Sequence, residues 1–458
     1  MSGALTPARA ALVSPTLGLF ICGFAGSSPI VVVGDISADL HTTVQGVQLV
    51  ITTFLLVVAM LMIPGGRFAD RYGGKRCFAA GQAFFGIGAV LSALAPGTGW
   101  LFLGDSILEG VGAALLIPSA YALAGPSRTD TATPARALVG LTTVAGIGAT
   151  AGPLLGGIIA AGLGWRAIFV FQVLVIAAAG WLGRHIDAPA PVDPAKPFDI
   201  PGAVLSTVGV TLLVMGALAA DEDVRLMWAL LALGAVVLVW CFRWVRGEER
   251  AGREPLVSSD LFRHRAVVLG LITQNLQWLL LTGTVFVVAA YLQVVWGYGP
   301  GRTGVLFLAT IVGPLGARWA AARSARRYTP RVLIMTGFAV AVIGVDLLLV
   351  LAGRDVSSWA FVPGLLLVGM GSGVMLFPSI DVVRSGFGER QPREIPGLSH
   401  GVSALGAALG PAVAGTVLTA GPTGHAYATA MIVLAAFGIA GLGVAAFLPT
   451  PPATPRAR

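Results

Sequence analysis

GATAGPLLGG, residues 148–157, and GAALGPAVAG, residues 406–415, share the pattern G-x-x-x-G-P-x-x-[GA]-G at a separation of 258 positions. A proline inside an apolar run bends a helix, and glycines four apart let a second helix approach closely. Close packing alone accounts for one such stretch, but not for the same bend recurring in register. A weaker echo precedes each copy, GVGAALLIPS at 110–119 and GMGSGVMLFPS at 369–379, at nearly the same offset. Helices one to six are therefore expected to repeat as helices nine to fourteen, with two more inserted between them.

Composition supports this all-helical reading. The 458 residues are 56% hydrophobic and only 11% charged, where a soluble domain carries roughly 25% charged residues. Apolar runs of about 20 residues, long enough to span a bilayer, recur along the chain. They predict an all-α polytopic membrane protein of fourteen helices near 15–34, 46–66, 77–96, 100–124, 136–162, 165–184, 200–220, 226–245, 266–296, 302–320, 331–352, 357–383, 398–420 and 425–448. The divisions are 1–186 for a first six-helix bundle, 187–250 for the inserted pair and 251–458 for a second bundle. Parallel half-repeats around a midplane site are a transporter architecture.

The net charge of +8 comes from basic residues in the short connections, so it reports topology and gives no reason to expect nucleic acid. With the N-terminus inside, 25 of the 29 Lys and Arg lie on the inner side, leaving Arg166, Arg225, Arg302 and Arg354 outside. Both termini are expected in the cytoplasm and the protein in the plasma membrane. The three cysteines, Cys22, Cys77 and Cys241, are odd in number and lie in or beside apolar spans. They suggest neither a disulfide framework nor a metal centre.

Between helices two and three the chain reads GGRFADRYGGKR. Gly66, Asp70, Arg71, Gly73, Lys75 and Arg76 match the G-x-x-x-D-R-x-G-[RG]-[KR] signature, and the chain resembles the major facilitator superfamily. GPLLGG, with Gly148, Gly152, Pro153, Gly156 and Gly157 around it, is similar to the antiporter signature of that family's drug exporters. WRAIF at 165–169, FDIPGA at 198–203 and YLQVVWGYGP at 291–300 look like its fourteen-helix drug:proton antiporter branch. The resemblance implies a gating role for the first loop. A carboxylate there, Asp70, is favoured against the N-terminal end of helix thirteen near Leu398. The corresponding loop GARWAAARSARR lacks the aspartate, so the latch is expected on one side only.

In GDSILEG, residues 104–110, Asp105 and Glu109 stand four apart on one helical face, roughly 8–14 Å below the outer end of helix four at 1.5 Å per residue. An ionised acid at bilayer depth costs about 2.5–3.5 kcal/mol, so such a residue faces a wet cavity or a partner. Two acids so close favour one held proton, which a bound cation would expel; that is proton/cation antiport. The alternatives are an acid hydrogen-bonded to a neighbouring helix, and fixed recognition of a ligand without proton exchange. Here the sequence departs from the family: the exporter pattern R-x-x-Q-G reads Ser106-Ile107-Leu108-Glu109-Gly110, and the aspartate usual in helix one aligns with Ala25.

Gln274, Asn275, Gln277 and Trp278 in TQNLQW are read as cavity lining or as interhelix hydrogen bonds, Asp381 as a residue at the cavity lip, and Asp346 and His400 as structural. GLSHG at 397–401 imitates a nucleophile elbow but lacks the preceding strand. The absence of P-loop or H-E-x-x-H patterns leaves no reason to expect ATP drive, a metal or another cofactor; the energy source is expected to be a proton gradient. The resemblance implies a monomeric secondary transporter, not an enzyme, that exports a small amphipathic, in some cases cationic, drug or natural product by proton antiport with alternating access. The alternatives are an uncoupled facilitator or importer, and a sensor or intramembrane enzyme on a transporter-like scaffold.

Overall fold

A computed structural model describes residues 7–123, 134–184, 199–219, 223–253, 258–313, 328–354, 356–386, 395–418 and 424–449. Among the described residues there is no strand, and twelve helices are long and apolar enough to cross a membrane. The first crossing joins α1 (Pro7–Ala25), a 3-10 turn (Ser28–Val32) and α2 (Val33–Asp39). It is followed by α3 (Val44–Tyr72), α4 (Gly74–Ala93), a fourth span from α5 (Thr98–Leu101) to α6 (Gly110–Leu123), α7 (Pro134–Leu163) and α8 (Arg166–Gly183). A hairpin of α9 (Ile200–Leu218) and α10 (Val224–Arg250) comes next. Then come α11 (Arg265–Ala290), α12 (Pro300–Leu306), α13 (Pro330–Val350), α14 (Phe361–Ser385), α15 (Ile395–Leu418) and α16 (Gly424–Ala446).

The Gly-Pro repeat is visible as a repeated contact. A Cβ on Gly148 would lie 2.1 Å from the Phe20 carbonyl oxygen, and one on Gly406 would lie 2.1 Å from that of Asn275. One turn on, Gly152 faces the Phe24 carbonyl and Gly410 that of Leu279. The two pairs α1–α7 and α11–α15 thus pack through the same glycines. Pro411 has no N–H to offer the Ala407 carbonyl. The Thr282 hydroxyl of α11, 2.7 Å from the Trp278 carbonyl of its own helix, also reaches the carbonyl the bend releases, at 3.0 Å.

Among the described residues, two helix seams are prominent where the first and second halves meet. α3 runs beside α15: Gly397 and Gly401 pack on Met62 and Ala59, and Gln48 donates to the Pro411 carbonyl at 2.8 Å. α7 crosses α12, with Gly157 against the Pro300 carbonyl and Gly304 against that of Pro153. The hairpin of α9 and α10 lies outside these seams. α9 touches α3 and α15, whereas α10 leaves Trp228, Leu233, Val236, Val239 and Trp240 exposed. Asp199 fixes the start of the hairpin by accepting from the Gly202 amide at 2.9 Å and the Trp244 ring N–H at 3.1 Å.

Two expectations are corrected. The connection expected between the second and third spans is helical through Tyr72, and the junction shrinks to Gly73, whose φ of +94° is a conformation glycine adopts freely. The first crossing is broken at Ser27–Val32, where Gln293 bridges the gap: its Nε2 donates to the Ile30 carbonyl at 3.1 Å and its Oε1 accepts from the Gly34 amide at 3.0 Å. Those two backbone groups would pair with each other in an unbroken α-helix.

Candidate functional site

The fourth span is not uniformly α-helical. Phe102–Glu109 is a π-helical stretch between α5 and α6, and its cause is visible in the repeat. Gly88 of α4 faces the Gly104 carbonyl and the Glu109 amide; a Cβ there would lie 2.6 and 2.8 Å from them. Its counterpart Gly344 of α13 faces the Gly364 carbonyl and the Val368 amide, at 2.7 and 2.8 Å. The first pair is five residues apart and the second four, so the first half holds one additional residue here, absorbed as a π-bulge. Such bulges are frequent at functional sites.

Asp105 and Glu109 lie on this bulge and are 1% and 0% exposed. Glu109 packs on Gly88 and faces Ser92 of α4, and Cys22 of α1 is within electrostatic reach of it. Ser106 turns to α3 and donates to the Val50 carbonyl at 2.8 Å. Neither Glu109 carboxyl oxygen, nor Asp105 Oδ1, nor Ser92 Oγ has a partner in hydrogen-bonding geometry. Buried polar groups are paired in the great majority of cases, and each orphan costs about 1–3 kcal/mol. Glu109 thus packs against α4 within its own half, and both acids are shielded from the surface.

Gln172, in the middle of FVFQVLV on α8, is also fully buried with both amide atoms unpartnered. The antiparallel contacts of Ile176 with Gly86 and of Gly180 with Gln82 put Gln172 level with residues 89–92 of α4. The Phe24–Phe171 contact, 5.1 Å between ring centroids, puts it level with Cys22 on α1. Sequence reading missed Ser92 and Gln172. The available signal was a lone polar residue inside an apolar span, which is weak without knowing which helices face each other.

The amides of the ninth span bond across helices. Gln274 Oε1 accepts from Ser399 at 2.7 Å, Asn275 donates to the Val402 carbonyl at 3.0 Å, and Gln277 donates to the Ser372 carbonyl at 3.0 Å. Each amide thus bonds across helices through one end, while Gln274 Nε2 and Gln277 Oε1 are buried without a partner in hydrogen-bonding geometry. Trp278 is half-buried against the core. Asp381 is exposed near the end of α14, and Asp346 sits among exposed Ile343, Leu347 and Val350 on α13. His400 lies 3.3 Å from the Tyr121 hydroxyl, across the two halves.

Arg71 stacks over the Tyr72 ring at 5.5 Å, and Lys75 donates to the Arg184 carbonyl at 3.3 Å. Gly66 is in α3, with Pro118 of α6 3.8 Å from where its Cβ would be, and Arg76 is in the first turn of α4. The α3–α15 register continues past Met62, so Asp70 is level with positions preceding Ile395, which lie outside the described residues. The antiporter-type residues Gly148, Gly152, Pro153, Gly156 and Gly157 all lie in α7. Gly148, Gly152 and Gly156 face the first span, while Gly157 faces α12.

Residues 16–394 match the family profile described as Major Facilitator Superfamily. The puromycin resistance protein pur8 of Streptomyces alboniger is 30% identical over 390 residues, covering 84% of this chain and 76% of that protein. The cephamycin export protein CmcT of Amycolatopsis lactamdurans is 29% identical over 456 residues, covering 96% and 90%. The probable actinorhodin transporter of Streptomyces coelicolor is 29% identical over 393 residues, covering 83% and 67%. Among solved structures, the POT family transporter PepTSo superposes with a TM-score of 0.68 at 15% identity, covering 97% of this chain and 98% of that one. That likeness concerns the fold.

Proposed function

Because the chain belongs to the major facilitator superfamily, we propose that it exports a small amphipathic drug or natural product by proton antiport with alternating access. Cationic compounds are among its expected cargo. The roles printed for its relatives, actinorhodin transport, puromycin resistance and cephamycin export, support export and a natural-product cargo. The observation that carries proton coupling is the acid pair: Asp105 and Glu109 sit fully buried on a bulge that the matching span of the second half lacks. A charged carboxyl is costly in so buried a site, and it takes part in transport only if something admits and removes a proton.

In this reading, residues 1–186 and 251–458 are the two moving bundles, with 187–250 an appended hairpin, and the protein works as a monomer in the plasma membrane. The end that carries Gly73 is cytoplasmic, as the distribution of Lys and Arg supports. Gly66, Asp70, Arg71, Gly73, Lys75 and Arg76 form the gate at that end. The opposite end is shut by Gln293 on the broken first span and by the α7–α12 crossing. A proton entering from outside neutralises the acid pair, the bundles rock, and loss of that proton to the cytoplasm resets the pair.

Dye and antibiotic efflux from a pump-deficient host, measured across a pH series, tests this. Asp105→Asn and Glu109→Gln, made separately, are expected to lose export against a gradient while reaching the membrane at parental levels. Parental export by both variants at every pH overturns proton coupling through these acids.

A further inference from the structure

The repeat offers an internal comparison for the site of the acid pair. At the contact between α13 and α14, the positions matching Ser92 and Glu109 are Leu348 and Val368, both fully buried. Apolar side chains therefore suffice to hold this helix crossing together. The first half replaces them with a hydroxyl and a carboxyl, carries Asp105 within the bulge, and brings Gln172 to the same level from α8.

We propose that Ser92 and Gln172 complete the site of the acid pair, forming a chamber inside the first half that binds a proton together with bridging water, apart from the path taken by cargo. This rests on the proton-antiport reading above. Asp105 Oδ1, both Glu109 oxygens, Ser92 Oγ and both Gln172 amide atoms are buried without a partner in direct hydrogen-bonding geometry, and Ser92 lies beside Glu109. Together they offer donors and acceptors enough for water, which needs two to four polar partners. When the pair is charged, Ser92 and the Gln172 amide can donate towards it through that water; when it is protonated, the Gln172 carbonyl can accept. Gln172 and Ser92 are positioning residues, acting through the acids.

The other titratable groups are few. Among the described residues, Cys22 on α1 and Asp105 lie within electrostatic reach of Glu109. Arg67, Asp70 and Arg71 of α3, Lys75, Arg76 and Cys77 of α4, and Tyr121 of α6 lie towards the Gly73 end. Arg166 of α8 pairs with Asp39 at the opposite end.

The test uses purified full-length protein in liposomes, reading dye uptake against an imposed pH gradient, the KM for dye, and proton flux. Gln172→Leu and Ser92→Ala remove donors to the charged pair, so the proton leaves at higher pH and the transport profile should move to the alkaline side by about one pH unit. The KM for dye should stay within about twofold, because cargo does not touch the chamber. The double variant should shift by less than the sum of the two, since both act through one network. Gln172→Asn, which keeps the amide, should bring the profile part of the way back to the parent's. If Gln172→Leu fails to fold, Ser92→Ala carries the test, with an infrared carboxylic C=O band that should move relative to the parent. Profiles and band superimposing on the parent, while Glu109→Gln still abolishes proton flux, overturn the chamber and leave the antiport reading standing. No proton flux in the parent overturns both.

Discussion

Glu109 places a carboxyl where the second half uses Val368. That exchange sets stability against coupling, because an orphaned buried polar group costs about 1–3 kcal/mol. Glu109→Val in detergent-solubilised protein is therefore expected to raise the unfolding midpoint by several degrees while ending proton-driven export. An unchanged or lower midpoint would mean that the carboxyl is better satisfied than its surroundings suggest. Gly148 and Gly406 lead to the opposite expectation. Each lies 2.1 Å, at its absent Cβ, from a carbonyl oxygen of the facing helix. Valine at either position must push two spans apart, and both variants should lose most folded protein at the membrane, as fluorescence-detected size exclusion would show. The matching Gly-Pro stretches were legible in the sequence, and the structure gives each glycine a partner.

Irregular helices are where reading the chain as a string gave least. Apolar periodicity announces a span but is blind to one added residue. The π-bulge emerges only when Gly88 is seen to face Gly104 and Glu109 while Gly344 faces Gly364 and Val368. The spacing of Asp105 and Glu109 was legible; the packing of Glu109 on α4 beside Ser92, and the level of Gln172, depended on helix pairing. Deleting Ile107 is expected to return the stretch to α-helical register, as in the second half. The protein should still reach the membrane but lose pH-dependent export, and retention of coupling by that variant would remove the bulge from the mechanism. Gln293 follows the same logic at the broken first span, where one side-chain amide replaces a backbone hydrogen bond between Ile30 and Gly34. Gln293→Leu leaves both backbone groups open and loosens the contact between halves. Single cysteines introduced at Gly34 should then react with a membrane-impermeant maleimide several-fold faster than in the parent background.

At the scale of the whole molecule, transport requires the halves to separate at one end while they close at the other, so a covalent tie across a seam should arrest it. The α3–α15 seam offers such a site near the Gly73 end: a Cβ on Gly401 would lie 3.6 Å from the Cβ of Met62. That falls within the span of about 3.5–4.5 Å that a disulfide bridges. Met62→Cys with Gly401→Cys, in a chain whose Cys22, Cys77 and Cys241 are replaced by serine or alanine, should form the bond on mild oxidation. Export should fall to background when the pair is oxidised and return when it is reduced, while either single cysteine exports in both conditions. Composition and the duplicated motif gave no access to this pairing, because it depends on how the halves lean on each other. Full export by the crosslinked protein would show that α3 and α15 keep their contact near Met62 throughout the cycle. The moving seam would then have to be sought along α7 and α12, and the gate assigned to Asp70 and its neighbours would lose its lever.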